Sequence, residues 1–238
     1  MKAIINGANG RMGRIVAEML GSENIAAGVD VTGDFLRKLD DFHGEADCVI
    51  DFSNHKAVGE ILKFCTSRNI PVLIASTGHD DSERNLIHES SRNIPIFFSP
   101  NMSLGVAILS DLAARVANLF GDCDIEIIEA HHNQKLDVPS GTALALANAI
   151  KNAKPELEFN IGRHENAKRK SNEIGIHSLR YGSEVGTHEI IFSNGLETIS
   201  LRHDAKDRAL FAKGAIKAAE WLIAQKPGLY NMKDLIGN

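Results

Sequence analysis

Short apolar segments alternate with segments of helical hydrophobic periodicity through the first hundred residues of the chain. The apolar segments predict strands at residues 2–6, 25–29, 48–52, 71–75 and 94–98. The periodic segments predict helices at residues 11–20, 57–65, 82–91 and 103–120, the last opened by a capping serine. Strands that alternate with helices in this way indicate right-handed βαβ units on a parallel sheet.

Beyond residue 124 the predicted strands follow one another with little helix between them. They lie at residues 124–128, 173–180, 188–193 and 198–203, with one helix at 141–152. Asn194-Gly195 separates the last two strands and is a typical hairpin sequence. This order predicts a second domain with an antiparallel or mixed sheet. A final helix at residues 209–224 has no strand of its own, and we expect it to return to the first domain.

The composition is that of an ordinary globular protein. The chain has 238 residues, of which 43% are hydrophobic and 24% charged, which argues against disorder throughout the chain. Its formal net charge of -5 argues against general binding of nucleic acid. One short basic cluster lies at residues 163–170. A solvated loop is the favoured interpretation of that cluster, and attraction of an anionic substrate is the alternative.

Neither the start of the chain nor its cysteines indicate secretion or a metal site. The first residues enter a strand at once without a signal-peptide pattern, and no apolar run approaches the length of a membrane span. We therefore expect a cytoplasmic protein. Cys48, Cys65 and Cys123 are widely spaced and show no metal-ligand pattern. The first two lie among apolar residues, and we expect them to be reduced thiols in the core.

A glycine-rich turn follows the first predicted strand and leads into the first helix. Its sequence, Gly7-Ala-Asn-Gly-Arg-Met-Gly13, is a variant of the dinucleotide fingerprint, whose glycines let a pyrophosphate approach a helix N-terminus. Asp30 follows the second strand, 23 positions after Gly7 (30 − 7), near the spacing of a ribose-binding carboxylate. A purely structural strand–turn–helix unit is the alternative. Cofactor binding is favoured because strand, helix and carboxylate occur together.

Three more turns follow predicted strands of the first domain. Ala75-Ser-Thr-Gly78 and Ser99-Pro-Asn-Met102 come at strand ends that line the binding crevice of an open parallel sheet. Both are candidates for nicotinamide and ribose contacts, and ordinary turns are an equally good interpretation of each alone. In the third turn, Asp51-Phe-Ser-Asn54, Ser53 or Asn54 is expected to cap a helix.

The run Glu129-Ala-His-His-Asn-Gln-Lys-Leu-Asp-Val-Pro-Ser-Gly-Thr142 carries the most specific chemistry in the chain. His131, His132 and Lys135 supply proton donors, and the residues before Thr142 open a helix whose free amides suit a carboxylate or phosphate. Zinc binding is disfavoured because no cysteine or carboxylate lies at metal-ligand spacing. A structural histidine is the better alternative for either imidazole alone. Together, proton donors beside an anion site predict an active site.

Other polar residues near this run have more ordinary interpretations. Ser140 lacks the Gly-x-Ser-x-Gly context of a hydrolase nucleophile, so a helix cap and hydrogen-bond donor is expected. His177, Arg180 and His188 lie on predicted strands of the second domain. For Arg180, binding of a carboxylate and a surface ion pair remain equally open.

Taken together, these motifs resemble those of the dihydrodipicolinate reductase (4-hydroxy-tetrahydrodipicolinate reductase) family of the lysine and diaminopimelate pathway. The resemblance runs through nearly the whole chain. It includes the glycine turn and the 129–142 run, and the later segments Val185-Gly-Thr-His188, His203-Asp-Ala-Lys-Asp-Arg208 and Pro227-Gly-Leu-Tyr-Asn-Met-Lys233. The His-His-x-x-Lys and Pro-Ser-Gly-Thr combination is specific to that family, whereas the glycine turn is not.

The resemblance implies an α/β protein of two domains that reduces a cyclic imine dicarboxylate with NADH or NADPH. A Rossmann-type dinucleotide domain is implied at residues 1–102 and 208–238. A smaller α+β domain with a mixed sheet, at 103–207, would bind substrate and build a homotetramer.

The same resemblance assigns site residues by position. His131 and Lys135 match the proton-donor pair, with no metal. The implied substrate contacts are His132, Ser140, Gly141 and Thr142. The implied cofactor contacts are Gly7, Ala8, Asn9, Gly10, Arg11, Met12, Asp30, Ala75, Ser76, Thr77, Ser99, Pro100, Asn101 and Met102.

Three positions depart from the usual pattern of that family. Met102 replaces an aromatic residue, Ser76 replaces a threonine, and Val31 after Asp30 is not basic, which bears on the choice of cofactor. Two other functions fit the motifs less well. One is a dehydrogenase of the same architecture that acts on another small amino or keto acid. The other is a dinucleotide sensor without activity, which has no need for proton donors beside an anion site.

Overall fold

The chain forms two compact units. The computed structural model describes residues 1–237, and its first unit comprises Met1–Leu104 together with the chain from Arg208 onwards. The second unit comprises Gly105–Asp207. The described part of the chain contains no helix that is long and apolar enough to cross a membrane.

The first unit is built on a six-stranded parallel sheet. Its strand order is β11-β5-β4-β3-β1-β2. The strands are β1 (Ala3–Asn6), β2 (Ile25–Val29), β3 (Cys48–Asp51), β4 (Val72–Ile74), β5 (Pro95–Phe98) and β11 (Gly228–Tyr230). The central strands are apolar because helices cover a parallel sheet on both faces, and Ile4, Val49 and Ile74 are completely buried.

Five α-helices accompany the sheet of this unit within the described residues, and the periodicity predicts all of them except the last. They are α1 (Arg11–Leu20), α2 (Val58–Arg68), α3 (Asp81–Ser90), α6 (Ala209–Leu222) and α7 (Met232–Ile236). Asp80 caps α3 in a reciprocal capping box with Glu83, which fixes where that helix begins. The small residues of α6 let it pack closely in this unit, because a Cβ at Gly214 would lie 1.8 Å from the carbonyl oxygen of Met102.

The second unit has a mixed five-stranded sheet of order β10-β9-β6-β8-β7. Its strands are β6 (Asp124–His131), β7 (Glu158–Ile161), β8 (Glu173–Arg180), β9 (Gly186–Ser193) and β10 (Thr198–Ala205). β6 pairs with β9 antiparallel and with β8 parallel, which makes the sheet mixed. The two sheets confirm the predicted fold class. The hairpin at Asn194-Gly195 is also confirmed, and Gly195 has a φ of 85°.

Two helices pack on one face of the mixed sheet. They are α4 (Leu104–Leu119) and α5 (Gly141–Ala153). Alternate residues of the strands, such as Ile127, Ile176 and Ile190, form one buried cluster with Leu146 and other helix residues. This packing fixes the end of β6 and the start of α5, which carry the predicted catalytic run.

Three short elements were not predicted from the sequence. β7 has the sequence Glu-Phe-Asn-Ile and only partial burial, so its hydrophobic signal is weak. β11 is a three-residue edge strand that follows a proline, and α7 has only five residues. All three are short segments held by their neighbours rather than by a strong local pattern.

Candidate functional site

The glycine turn joins the end of β1 to the start of α1. The amides of Gly7 and Ala8 both donate to the carbonyl oxygen of Val29, at 2.9 and 3.1 Å. Gly7 has a φ of 83°, and a Cβ there would lie 2.8 Å from the backbone of Phe52. A Cβ at Gly13 would lie 2.1 Å from the carbonyl oxygen of Gly7. Both positions therefore require glycine, and the turn lies directly against the ends of β2 and β3.

The start of α1 exposes its backbone amides. Gly10 precedes the helix in extended conformation, no side chain of the described residues caps it, and the first turn contains no acidic residue. The amide of Gly10 donates to the carbonyl oxygen of Gly7 at 3.0 Å, and the amides of the first turn together with the helix dipole favour an anion here. The predicted contacts Arg11 and Met12 form the first turn, and Asn9 lies in the preceding turn.

Asp30 is tied to this turn by hydrogen bonds. The amide of Asn9 donates to Oδ2 of Asp30 at 2.9 Å, and the amide and hydroxyl of Thr32 donate to Oδ1, each at 2.9 Å. Desolvation raises the pKa of Asp30, but the bonds from Thr32 and Asn9 and the charge of Arg37 outweigh it and lower the pKa. The carboxylate is therefore ionised and held beside the glycine turn.

A cleft of about 510 Å³ opens beside Asp30. Its lining includes Gly7, Gly10 and Asp30, and also Arg37 and Lys38. The guanidinium of Arg37 donates to the carbonyl oxygens of Asp30 and Gly33, at 3.4 and 2.8 Å. These two cations were not predicted from the sequence, because they lie in a loop seven and eight positions after Asp30.

The two other predicted turns lie at the same carboxyl edge of the parallel sheet. Ala75, Ser76 and Thr77 follow β4, and the residues from Ser99 to Met102 follow β5. Ser76 donates its hydroxyl proton to Oδ2 of Asp51 at 2.7 Å. Asp51, completely buried, also accepts from the side chain of Asn6 at 2.8 Å. This carboxylate joins the ends of β1, β3 and β4, a role that the sequence did not indicate.

The predicted caps and thiols of this unit are found as expected. Asn54 accepts from the amide of Lys56 and caps a short helical turn, whereas Ser53 donates to Asp51. Cys48 and Cys65 are buried, and burial raises the pKa of the Cys48 thiol to about 12. Both thiols are therefore inert core groups.

In the second unit, hydrogen-bond donors surround the carboxylate of Glu129. Arg180 donates to both of its oxygens, at 2.9 and 2.8 Å, and Nδ1 of His131 lies 2.5 Å from Oε2. The amide of Ser140 donates to Oε1 at 3.1 Å. Burial raises the pKa of Glu129, but the bonds from His131, Arg180 and Ser140 outweigh it and hold the pKa well below its ordinary value. Arg180 thus pairs with a completely buried carboxylate rather than with one at the surface.

Ser140 begins α5 and also contacts the sheet. Its hydroxyl accepts from the amide of Ala143 at 3.2 Å, as an N-cap does, and lies 3.1 Å from Nε2 of His188. The predicted cap is confirmed. Desolvation, with a smaller electrostatic contribution from the neighbouring ring of His131, lowers the pKa of His188 to about 4, so the ring of His188 is neutral.

The loop between β6 and α5 carries the other predicted residues. The amide of His132 donates to the carbonyl oxygen of Glu184 at 2.8 Å. Nζ of Lys135 lies 2.9 Å from Oδ1 of Asp137, and this pairing lowers the pKa of Asp137. Lys135 is therefore held in the loop that follows His131, although the ammonium remains partly exposed.

Gly141 and Thr142 form the first turn of α5. That turn contains no acidic residue, so its amides favour an anion. A Cβ at Gly141 would meet no atom of the described chain within 4 Å, so packing does not require glycine there. The open space at Gly141 is consistent with the close approach of a ligand.

Ion pairs hold the basic segment at residues 163–170. In the basic segment, Arg163 pairs with Glu173 at 3.0 Å and Arg169 with Glu126 at 3.1 Å, which favours the interpretation of a structural loop. Within residues 1–237, no group of three or more His, Cys, Asp or Glu side chains is arranged to hold a metal ion.

Family profiles match both parts of the chain. The profile described as "Dihydrodipicolinate reductase, N-terminus" matches residues 1–102, and the one described as "Dihydrodipicolinate reductase, C-terminus" matches residues 105–236. The 4-hydroxy-tetrahydrodipicolinate reductase of Caldanaerobacter subterraneus subsp. tengcongensis is 47% identical, over 99% of this chain and 98% of its own length. The enzyme of the same name from Clostridium tetani is 42% identical, over 100% and 98%.

Solved structures have the same fold. A dipicolinate-bound dihydrodipicolinate reductase from Paenisporosarcina sp. TG-14 superposes with a TM-score of 0.78, at 25% identity and with 98% of each chain covered. The aspartate dehydrogenase of Thermotoga maritima superposes with a TM-score of 0.52 at 14% identity, over 95% of this chain and 98% of its own. The second likeness is one of fold alone.

Proposed function

Because the chain belongs to the dihydrodipicolinate reductase family, we propose that it reduces 4-hydroxy-tetrahydrodipicolinate to tetrahydrodipicolinate with NAD(P)H, in lysine and diaminopimelate biosynthesis. The observation that carries this conclusion is the 47% identity to an enzyme of that name over 99% of the chain. The chain is an oxidoreductase with a dinucleotide-binding domain and a site for a small cyclic dicarboxylate.

The first unit has the features that a dinucleotide needs. The start of α1 offers uncapped amides to a pyrophosphate, and Asp30 offers an ionised carboxylate to ribose hydroxyls. Gly7 and Gly10 line the cleft beside them. When bound, the reduced nicotinamide supplies a hydride, and we assign the turns after β4 and β5 to its nicotinamide end. The other predicted cofactor contacts, Ala8, Asn9, Arg11 and Met12, would bind the same dinucleotide.

In the second unit we assign carboxylate binding to the start of α5. Thr142 and the amides around Gly141 would hold one substrate carboxylate, and His132 and Ser140 would contact the same molecule. A charge-assisted hydrogen bond to a carboxylate is worth about 1.5–3 kcal/mol, which is enough to orient the substrate.

The reduction consumes a proton as well as a hydride, and the hydroxyl group of the substrate leaves as water. We assign the delivery of this proton to His131 and Lys135. Histidine is the usual side chain for proton transfer near neutral pH, and lysine transfers protons when its environment is perturbed. Nε2 is the nitrogen of His131 that does not face Glu129, and it is the atom from which the proton would leave.

We propose that NADH serves at least as well as NADPH. Asp30 repels a 2′-phosphate, and Val31 adds no compensating charge. The guanidinium of Arg14 is bonded to Asn9, to which it donates two hydrogen bonds at 3.0 and 2.7 Å. Arg37 lines the same cleft as Asp30, so we expect the discrimination between the two cofactors to be modest.

We also propose which part of the chain binds each ligand and which part forms the oligomer. Residues 1–102 and 208–238 would bind the dinucleotide, and residues 103–207 would bind substrate and build a homotetramer. A cytoplasmic location fits this biosynthetic role.

A coupled assay tests the function. The chain is mixed with NADH or NADPH and with the product of the preceding synthase, and loss of the reduced nicotinamide is followed. Consumption that depends on the synthase supports the reductase. Consumption with another amino or keto acid but not with this product would favour a different dehydrogenase. Dinucleotide binding without turnover of any substrate would favour a sensor.

A further inference from the structure

Glu129 is completely buried, and its carboxylate meets only donors in the second unit. Its exposed fraction is 0%, and its partners are Arg180, His131 and the amide of Ser140. A buried charge without such partners is strongly unfavourable, and these partners come from β6, β8 and the start of α5. One carboxylate therefore joins three elements of the site.

The charge of Glu129 determines which nitrogen of His131 carries a hydrogen in the neutral ring. Since the pKa of Glu129 lies well below its ordinary value, its oxygens only accept hydrogen bonds. Nδ1 of His131 must therefore donate to Oε2. The other nitrogen, Nε2, is left to exchange a proton with a ligand. A Cβ at Gly186 would lie 3.1 Å from Nε2, so glycine at this position keeps that nitrogen uncrowded.

Arg180 compensates the charge of Glu129 and also binds the loop between β6 and α5. Besides its two bonds to Glu129, it donates to the carbonyl oxygen of Asp137 at 2.8 Å. Asp137 is the partner of Lys135. The ion pair thus connects the ring of His131 to the loop segment that carries Lys135.

We propose that Glu129 is a positioning residue of the reductase, which fixes the orientation and the Nδ1–H tautomer of His131, with Arg180 as its counter-ion. This inference rests on the proposed function, in which His131 supplies the proton. The carboxylate stabilises the ring through Nδ1 both before and after a proton leaves Nε2. Arrangements of this kind, in which a carboxylate orients a catalytic histidine, are general in enzymes.

The competing interpretation is an ion pair that only stabilises the fold. The two interpretations differ in the double variant Glu129→Met/Arg180→Met, because apolar residues of similar volume often replace a buried ion pair without loss of stability. A purely structural pair predicts near-normal kcat for this folded variant. The positioning role predicts that kcat falls by at least about tenfold and by at most the roughly 10⁴-fold that a general acid contributes. KM should change much less.

Conservative and control variants sharpen the comparison. Glu129→Gln keeps one carbonyl acceptor but presents an amide group to donors, so its kcat should fall between those of the wild type and the double variant. Glu126→Gln is the matched control. Glu126 lies on the same strand, and its carboxylate contacts His177 at 2.8 Å and Arg169 at 3.1 Å. Its loss should leave kcat near the wild-type value.

Nitrogen NMR of the imidazole rings gives a readout that does not depend on activity. The His131 signals are assigned by their loss in His131→Gln and recorded where the ring is neutral. We expect the Nδ1–H tautomer in the wild type and a mixture of tautomers in the double variant. An Nε2–H tautomer in the wild type, or near-normal kcat in the folded double variant, would overturn the proposal. The Nδ1–H tautomer in a protein without reductase activity would instead refute the proposed function alone.

Discussion

The hydroxyl of Ser140 lies 3.1 Å from Nε2 of His188, although 48 positions separate them in the chain. Ser140 accepts from the amide of Ala143, so its own proton is available to the neutral ring of His188. The bond ties the N-cap of α5 to β9, and the ring of His188 that takes part in it is buried and neutral.

Stability should therefore fall as the pH is lowered. His188 has a pKa of about 4 in the folded protein and 6.5 as its ordinary value, so the unfolded state binds more protons between these values. The loss across that window is on the order of 3 kcal/mol, and His79 and His203, whose pKa values burial also lowers, add to it. Below about pH 4.5, protonation of Glu129 in the unfolded state adds a further loss. Urea unfolding at a series of pH values measures the change.

The matched variant is His188→Gln, whose amide oxygen can still accept from Ser140. Its stability should fall less than that of the wild type between about pH 7 and about pH 5. His43→Gln changes an exposed histidine and should reproduce the wild-type slope. Equal slopes for His188→Gln and the wild type would mean that His188 does not cause the dependence.

A second prediction concerns Thr142. If its hydroxyl contacts a substrate carboxylate, Thr142→Val should raise KM for the imine and leave the Kd for NADH unchanged. Loss of one hydrogen bond to a charged group costs about 1.5–3 kcal/mol, or roughly 10- to 150-fold in kcat/KM. Steady-state kinetics and NADH fluorescence titration measure the two quantities. Equal weakening of NADH binding would place this helix at the cofactor, and unchanged kinetics would leave it a structural role only.

A third prediction concerns the cofactor cleft. The kcat/KM for NADH should be at least equal to that for NADPH, with modest discrimination; tenfold in kcat/KM corresponds to about 1.4 kcal/mol of preference. Arg37→Gln should lower kcat/KM with NADPH by about two- to fivefold and change kcat/KM with NADH little, because an exposed cation contributes up to about 1 kcal/mol to phosphate binding. Arg14→Gln is the control, since its guanidinium is bonded to Asn9. A preference for NADPH above tenfold would contradict the role of Asp30.

Much of the fold could be predicted because the strong patterns are local. The buried strands of the parallel sheet are continuous apolar runs, and α1 and α3 begin at residues that commonly precede helices, Gly10 and Asp80. β7 and β11 carry no such pattern. The parallel pairing of β8 with β6 also could not be read from the sequence, because it depends on packing between segments about 50 positions apart.

For the site, the sequence indicated groups that meet solvent or ligand but not the buried groups that hold them. His131, Lys135 and Thr142 stand in a recognisable run. Glu129 begins the same run, yet its partner Arg180 lies 51 positions away. The pairing leaves one buried carboxylate that accepts hydrogen bonds from several donors. Asp51 is similar, since Asn6 and Ser76 reach it only once three strands are aligned. Such relationships depend on strand order, which no local motif specifies.

The fourth prediction concerns the proton donors. A general acid typically contributes about 10²–10⁴-fold, so His131→Gln and Lys135→Met should each lower kcat by that order. KM for the imine should rise less, because a group used mainly in the transition state affects kcat and kcat/KM together. His132→Gln is the matched comparison on the adjacent residue, and its larger change should be in KM. Steady-state kinetics at saturating NADH measure all three variants.

The double variant His131→Gln/Lys135→Met decides whether the two residues serve one step. If they act on the same proton transfer, the double variant should be much less than multiplicatively worse than either single variant. The structure favours this outcome because Lys135 is held by Asp137, whose backbone is bonded to the arginine that pairs with Glu129. Multiplicative losses would mean two independent roles. A Lys135→Met variant with near-normal kcat and raised KM would make Lys135 a carboxylate ligand, and His131 would then supply the proton alone.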